Sequence, residues 1–248
     1  MSDVRLQREA DFHNQRFADD TRAANRFYVA AGRAFDRYKA LVREAGAGAG
    51  RRVLEYGCGP KPEALGLAAE GAHVDGIDIS QVAVEQAAER AAARGVGDRC
   101  TFQVMNAEAL AFADGSFDLV CGSGILHHLD LPRAYREVAR VLKPGGRAVF
   151  LEPLGHNPII NWYRSRTPEM RTPDEHPLLA RDFEEARRYF SRVEPEFFGL
   201  SVIAAVPLNR FRLFQPVHRV LDQLDGLLLA SWSPLRWGAW MTVVALER

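Results

Sequence analysis

A short apolar run, Val53-Leu54-Glu55-Tyr56, breaks into Gly57-Cys58-Gly59-Pro60-Lys61. Two glycines at such a point let the backbone approach a ligand with no Cβ in the way. About twenty residues later Asp78 closes a second apolar run, His73 to Ile77, where a carboxylate can accept hydrogen bonds from ribose hydroxyls. The two features together point to a ribose-bearing cofactor but leave its identity open. A dinucleotide fingerprint needs a third glycine for close helix–strand packing, and this chain has Pro62 there. Proline suits an early helix position, so the loop reads as shaped for a ligand without a pyrophosphate. His127 and His128 offer two imidazoles, yet neighbours on a turn or helix point in different directions. They make a poor chelating pair, and no metal site is expected. His127 is a candidate catalytic residue, with support of the cofactor pocket as the plainer alternative.

A second concentration of chemistry runs from Glu152 through His156, Trp162, Tyr163 and Arg164 to Arg171, His176 and Pro177. It begins where a fifth strand ends, so it should hang over the reacting atom of the cofactor. His156 or His176 is the candidate base, and Arg164 or Arg171 the candidate clamp for an anionic group. Trp162, Tyr163 and, from the N-terminal region, Tyr28 are candidate acceptor contacts. The plain alternative is a polar surface loop with satisfied side chains.

These residues must be held by elements, and the pattern of elements is regular. Short apolar runs at 53–56, 73–77, 100–105, 117–121 and 147–151 alternate with helical stretches at 63–70, 81–94 and 131–142. Such alternation indicates βαβ units, a mostly parallel sheet and helices on both faces of a doubly wound α/β fold. Ligands of these sheets bind beyond the carboxyl ends of the strands, where strand order reverses. Residues 5–44 read as helical, with a break and N-cap at Asp19-Asp20-Thr21, and could form a lid carrying Phe17, Phe27, Tyr28 and Tyr38. Residues 153–178 show no period. Helices are expected at 179–189 and near 217–229, a mixed segment at 193–208, and a last strand at 239–246. The expected division is a helical lid at 1–46, a cofactor-binding core at 47–152, and an acceptor loop with completion of the same domain at 153–248.

Residues 51–152 resemble class I S-adenosylmethionine-dependent methyltransferases, particularly those similar to quinone-biosynthesis methyltransferases. The resemblance rests on Val53-Leu-Glu-Tyr-Gly-Cys-Gly59, Val74-Asp-Gly-Ile-Asp-Ile-Ser80, Asn106-Ala-Glu-Ala-Leu-Ala-Phe112, Ser116-Phe-Asp-Leu-Val120, Ile125-Leu-His-His-Leu129 and Leu142-Lys-Pro-Gly-Gly146, in the family's order. It implies a Rossmann-like, seven-stranded sheet and S-adenosylmethionine as cofactor, with S-adenosylhomocysteine as product. It further implies that Glu55 holds the glycine loop or the amino-acid end of the cofactor. The backbone of Gly57, Cys58 and Gly59 would line the methionine and ribose, and Asp78 would bind the ribose. Ile79 would pack on the adenine, Asn106 and Ala107 would read its edge, and Gly122 would approach the methionine. Two departures stand out: Lys61 replaces a frequent third glycine, which would widen or partly block the loop, and Asn106 replaces a frequent Asp.

Composition narrows the partners. The chain of 248 residues is 47% hydrophobic, enough for one substantial core, and its formal net charge is zero. A general nucleic-acid binder would carry a basic surplus. Cys58, Cys100 and Cys121 lack any C-x-x-C spacing and fit free thiols in a reducing, cytoplasmic setting. The charged N-terminus is not a secretory leader, and no run reaches the ~20 apolar residues of a membrane span. The expected substrate is therefore a small organic acceptor with an oxygen, nitrogen or carbon nucleophile. The apolar 211–240 segment leaves a homodimer contact, a membrane surface or a substrate cap open beside core packing. Two other readings compete: a nicotinamide-dependent oxidoreductase, and a cofactor-fold protein that binds without turnover.

Overall fold

Consecutive residues of a strand point to opposite faces, so a strand that is apolar at every position must be covered twice. In β1 (Arg52–Tyr56), Val53 packs into one layer while Leu54 and Tyr56 pack into the other. The same division recurs in β4 (Phe117–Ser123), where Leu119 and Cys121 oppose Phe117 and Val120. It recurs again in β5 (Leu142–Pro153), where Val149 and Leu151 oppose Ala148 and Phe150. One face is covered by α2 (Gly32–Gly46), α3 (Leu65–Ala69) and α4 (Gln81–Ala93). The other is covered by α5 (Leu131–Val141) and α7 (Ala180–Ala186). Each fully buried Leu or Phe of these layers contributes about 1.5–3 kcal/mol. This computed structural model describes residues 3–18, 30–231 and 233–248.

With β2 (His73–Asp78), β3 (Cys100–Val104), β6 (Arg192–Phe198) and β7 (Met241–Glu247), the sheet has seven strands in the order β3-β2-β1-β4-β5-β7-β6. The first five run parallel, and β7 pairs antiparallel with both β5 and β6. Strand order reverses between β1 and β4, and the tips of β1, β2, β3, β4 and β5 lie along one edge of the sheet. Helix starts follow capping chemistry. The Ser80 hydroxyl accepts from Ala83 N at 3.1 Å ahead of α4, and Asp130 accepts from Arg133 N at 3.2 Å ahead of α5.

Three sequence expectations change. The unpatterned stretch 153–178 contains a helix, α6 (Pro158–Arg166), started by Asn157, whose side-chain oxygen accepts from Ile159 N and Ile160 N. The helix expected over 63–70 is only the short α3. The helix expected in a lid over the second half of 1–46 is instead α2, which packs across β4, β5 and β7 with Tyr38 fully buried. Among the described residues α1 (Asp3–Ala18) lies over the strand tips, and α2 reaches the same cavity through Phe35. The break at 19–21 and the lid aromatics Phe27 and Tyr28 lie outside the described residues. Beyond β6 the mixed segment is a 3-10 helix at Val202–Leu208, followed by α8 (Phe214–Ser231). No described helix is long and apolar enough to cross a membrane.

Candidate active site at the strand tips

A cavity of ≈ 170 Å³ opens at the strand tips, roofed by α1. Its first half is built from the loops after β1, β2 and β3. Gly57 and Gly59 both adopt positive φ, +71° and +54°, a region that glycine enters without penalty. A Cβ on Gly57 would fall 2.9 Å from Ile125, whereas one on Gly59 would meet nothing within 4 Å. The space above Gly59 is thus free for a ligand.

Asp78 ties this loop to β2. Its Oδ2 accepts from Gly59 N and its Oδ1 from Ser80 N, both at 2.9 Å. An ionised carboxylate has about four acceptor sites, so two stay available toward the cavity. Glu55 does similar work below the loop. Its Oε1 accepts from Glu63 N at 2.7 Å and its Oε2 from Ala64 N at 2.9 Å. Burial pushes its pKa up to about 8. Asn106 Oδ1 accepts from Glu108 N at 2.9 Å, and the Tyr56 hydroxyl donates to the Ala107 carbonyl. Both contacts brace the loop after β3, where Asn106 and Ala107 line the cavity beside Ile79.

The second half is polar and centred on His127. Glu152, fully buried at the end of β5, accepts from Ile125 N at 2.9 Å and Leu126 N at 2.8 Å through Oε1. Its Oε2 stands 2.6 Å from His127 Nδ1. Burial raises its pKa to about 7. On the other side of the ring, His127 Nε2 is 3.7 Å from Glu175 Oε1, which also pairs with Arg164 at 2.9 Å. Burial works to raise the Glu175 pKa, but the His127 and Arg164 charges outweigh it and the net shift is downward. Arg171 Nε lies 3.8 Å from the same oxygen, and Tyr163 completes this wall. From above, α1 contributes Arg5, Glu9, His13, Arg16 and Phe17.

The structure brings together Gly57, Gly59, Asp78, Ile79, Asn106, Ala107, His127, Tyr163, Arg164 and Arg171 around this one cavity. It leaves others outside. His156 is exposed, and its Nε2 accepts from Ala180 N at 3.1 Å at the start of α7. His176 is exposed as well, with Nδ1 3.2 Å from the Asp174 carbonyl. Neither histidine lines the cavity, so neither stands where a base for a bound acceptor would have to be. Trp162 is 60% exposed on the outer side of α6, under the Arg166 guanidinium. Cys58 turns inward: its N–H donates to the Ile77 carbonyl at 2.8 Å, and the buried thiol has its pKa raised by desolvation. Gly122 is a packing glycine, since a Cβ there would lie 2.6 Å from the Tyr56 carbonyl oxygen and 3.1 Å from the Phe150 ring. Ser123 and Gly124 line the cavity instead. Lys61 is exposed and away from the lining, so it blocks nothing. Tyr28 lies outside the described residues.

Sequence reasoning missed the roles of Glu152, Glu175, Glu9 and His13. For Glu152 a signal existed, an acidic residue directly after the apolar run Ala148-Val149-Phe150-Leu151. For Glu9 and His13 the signal was their spacing of four, which places both on one side of a helix. Nothing in the sequence told which side turns inward.

Residues 54–150 match the family described as Methyltransferase domain. Over 101 residues, 40% of this chain, the sequence is 44% identical to the 27-O-demethylrifamycin SV methyltransferase of Amycolatopsis mediterranei, covering 37% of that protein. Over 105 residues, 41% of this chain, it is 38% identical to the ubiquinone/menaquinone biosynthesis C-methyltransferase UbiE of Geotalea daltonii, covering 45% of it. The matched region thus spans less than half the length of either relative. Among solved structures, the geranyl diphosphate C-methyltransferase of Streptomyces coelicolor A3(2) aligns with a TM-score of 0.62 at 17% identity, over 86% of this chain and 77% of that one. The YcgJ protein of Bacillus subtilis aligns at 0.58 and 22% identity, over 86% and 98%. At these identities the two structures establish the fold. Residues 54–150 are thus similar to the methyltransferase-domain family, and the seven-stranded sheet to which they contribute has the fold of these two solved structures.

Proposed function

We propose that the chain is an S-adenosylmethionine-dependent methyltransferase acting on a small organic acceptor. One observation carries the reading: the amide-braced Asp78 carboxylate, the open Gly59 and the Asn106–Ala107 turn, from three different strand tips, line a single cavity. In this reading Asp78 takes the ribose hydroxyls, Ile79 packs on the adenine, and Asn106 and Ala107 lie along its edge. Glu55 acts from below by fixing the start of the segment after the glycine loop.

The bound cofactor supplies an activated methyl group on a sulfonium, transferred by in-line displacement. The protein's own work is alignment, exclusion of water and, for an acceptor that carries a proton, its removal. His127 suits that last role. In its neutral form, with Nδ1 held by Glu152 at 2.6 Å, the ring presents Nε2, 3.7 Å from Glu175, to take the proton. Tyr163, Arg164 and Arg171 shape the acceptor end. The lid reduces to α1, and the division at residues 47 and 153 then marks cofactor-side and acceptor-side parts of one domain. The same reading places the chain in the cytoplasm, with a homodimer as its assembly.

Titration of the purified chain with S-adenosylhomocysteine and, separately, with NADH tests the cofactor assignment. Saturable binding of the first alone is expected, and binding of NADH alone would overturn it. Release of S-adenosylhomocysteine with an acceptor panel tests turnover.

A further inference from the structure

Glu9 and His13 sit one turn apart on α1, on the side that faces the His127–His128 turn. Glu9 Oε2 is 3.4 Å from His128 Nδ1 and 3.6 Å from His13 Nε2. The His13 and His128 rings meet edge to face, with centroids 5.1 Å apart. Glu9 is only 6% exposed and His128 only 8%. Yet neither Glu9 oxygen nor His128 Nδ1 makes a hydrogen bond of ordinary length. Burial works to raise the Glu9 pKa and the two imidazoles hold it low, but a buried carboxylate whose polar contacts are all this long calls for an explanation.

The spacing supplies one. At 3.4–3.6 Å the atoms are too far apart for ordinary N–H···O bonds of about 2.7–3.2 Å. Donors placed tetrahedrally about 2.0–2.1 Å from a central ion stand roughly 3.3–3.4 Å from one another. One donor atom from each of Glu9, His13 and His128 lies within 4.8 Å of the others. A neighbouring cluster, His127, His128 and Glu175, meets the same limit, but its one carboxylate already pairs with Arg164 at 2.9 Å.

We propose that Glu9, His13 and His128 bind a divalent transition-metal ion of the zinc class, stapling α1 to the turn after β4. Two imidazoles and one carboxylate suit such an ion and leave a fourth position. All three residues line the cavity, so that position is open to an oxygen or nitrogen atom of a bound acceptor or to water. His127 and His128 do not chelate as a pair; His128 works with α1.

The test uses the full chain stripped with a chelator and needs no methyl donor, so it stands apart from the cofactor assignment. Zn²⁺ is titrated against a chromogenic competitor, and Co²⁺ is followed by its visible absorption. Wild type is expected to bind one equivalent of Zn²⁺ and to give the intense band of tetrahedral Co²⁺. Removal of an outer partner of a metal ligand already weakens binding by about 10–100-fold. Loss of a ligand itself, in Glu9→Gln or His13→Ala, should weaken it by at least about 100-fold while far-UV circular dichroism stays unchanged. Glu175→Gln should keep wild-type affinity. Absence of stoichiometric binding in wild type overturns the proposal, and so does wild-type affinity in both α1 variants. Loss confined to Glu175→Gln assigns the ion to the neighbouring cluster and overturns it equally.

Discussion

Replacing Asp78 by asparagine removes one of two oxygens that each already hold a backbone amide, Gly59 N and Ser80 N, at 2.9 Å. Whichever way the new amide turns, its NH₂ confronts one of those donors, and one backbone N–H is left unpaired. The same NH₂ replaces an acceptor for one ribose hydroxyl, and the remaining oxygen is no longer charged. Hydrogen bonds to charged groups contribute about 1.5–3 kcal/mol each. Losing one bond and weakening a second therefore costs about 3 kcal/mol of binding, an increase in Kd of roughly 150-fold. The unpaired loop amide costs about 1 kcal/mol of stability, a fall in Tm of about 2–4 °C for a chain of this size. Calorimetric titration with S-adenosylhomocysteine reads the first effect and a melting curve the second. A variant that binds within threefold of wild type would show that Asp78 serves the loop alone, and the cofactor assignment would lose its main support.

His127→Asn should leave S-adenosylhomocysteine affinity within a few-fold while lowering kcat by about 10²–10⁴ for any acceptor that must lose a proton; equal kcat refutes the base role. His156→Ala and His176→Ala, both outside the cavity, should keep turnover within twofold in the same assay. Glu55 gives a pH test of stability. Its folded-state pKa of about 8 exceeds the ordinary 4.5, so the native chain holds a proton that the unfolded chain releases between those values. This contribution is full below pH 4.5 and is lost as pH rises through 8. The stability difference between wild type and Glu55→Gln should therefore shrink by up to about 1.4 kcal/mol per pH unit across that window. Denaturant midpoints at pH 5, 6, 7 and 8 measure it, and a flat difference refutes protonation of Glu55.

The middle of the parallel sheet was legible because β1, β4 and the second half of β5 are apolar at nearly every position, as a doubly covered sheet requires. By contrast, β2 and the edge strand β3 carry polar residues and were read from their place in the alternation. The tips could be read for a related reason: Gly57, Gly59 and Asp78 interrupt apolar runs abruptly. Beyond residue 152 the same logic failed. Asn157-Pro158 is a helix start, with a capping side chain and a proline in the first turn, but among so many prolines it read as loop. Read as loop, that stretch put His156 and His176 over the cofactor, whereas the structure sets both outside the cavity lining. Once α6 forms, these two histidines sit on the outer side while Tyr163 and Arg164 turn inward. Sequence distance likewise hid the contact of Glu9 with His128, since it depends on how α1 returns over the sheet.

The fastenings of that roof have a kinetic consequence. Apart from its packing on α4, α1 is tied by the Asn14 side chain to Ser80, by Arg8 to Asp174, by Arg5 to the His128 carbonyl and by Arg16 to the Met170 carbonyl. All four are polar, the Arg8–Asp174 tie is exposed, and none of them ends on a residue within a strand of the sheet. Undocking of this one helix is therefore expected to pace ligand exchange, and added salt, which screens the Arg8–Asp174 pair, should quicken both entry and escape.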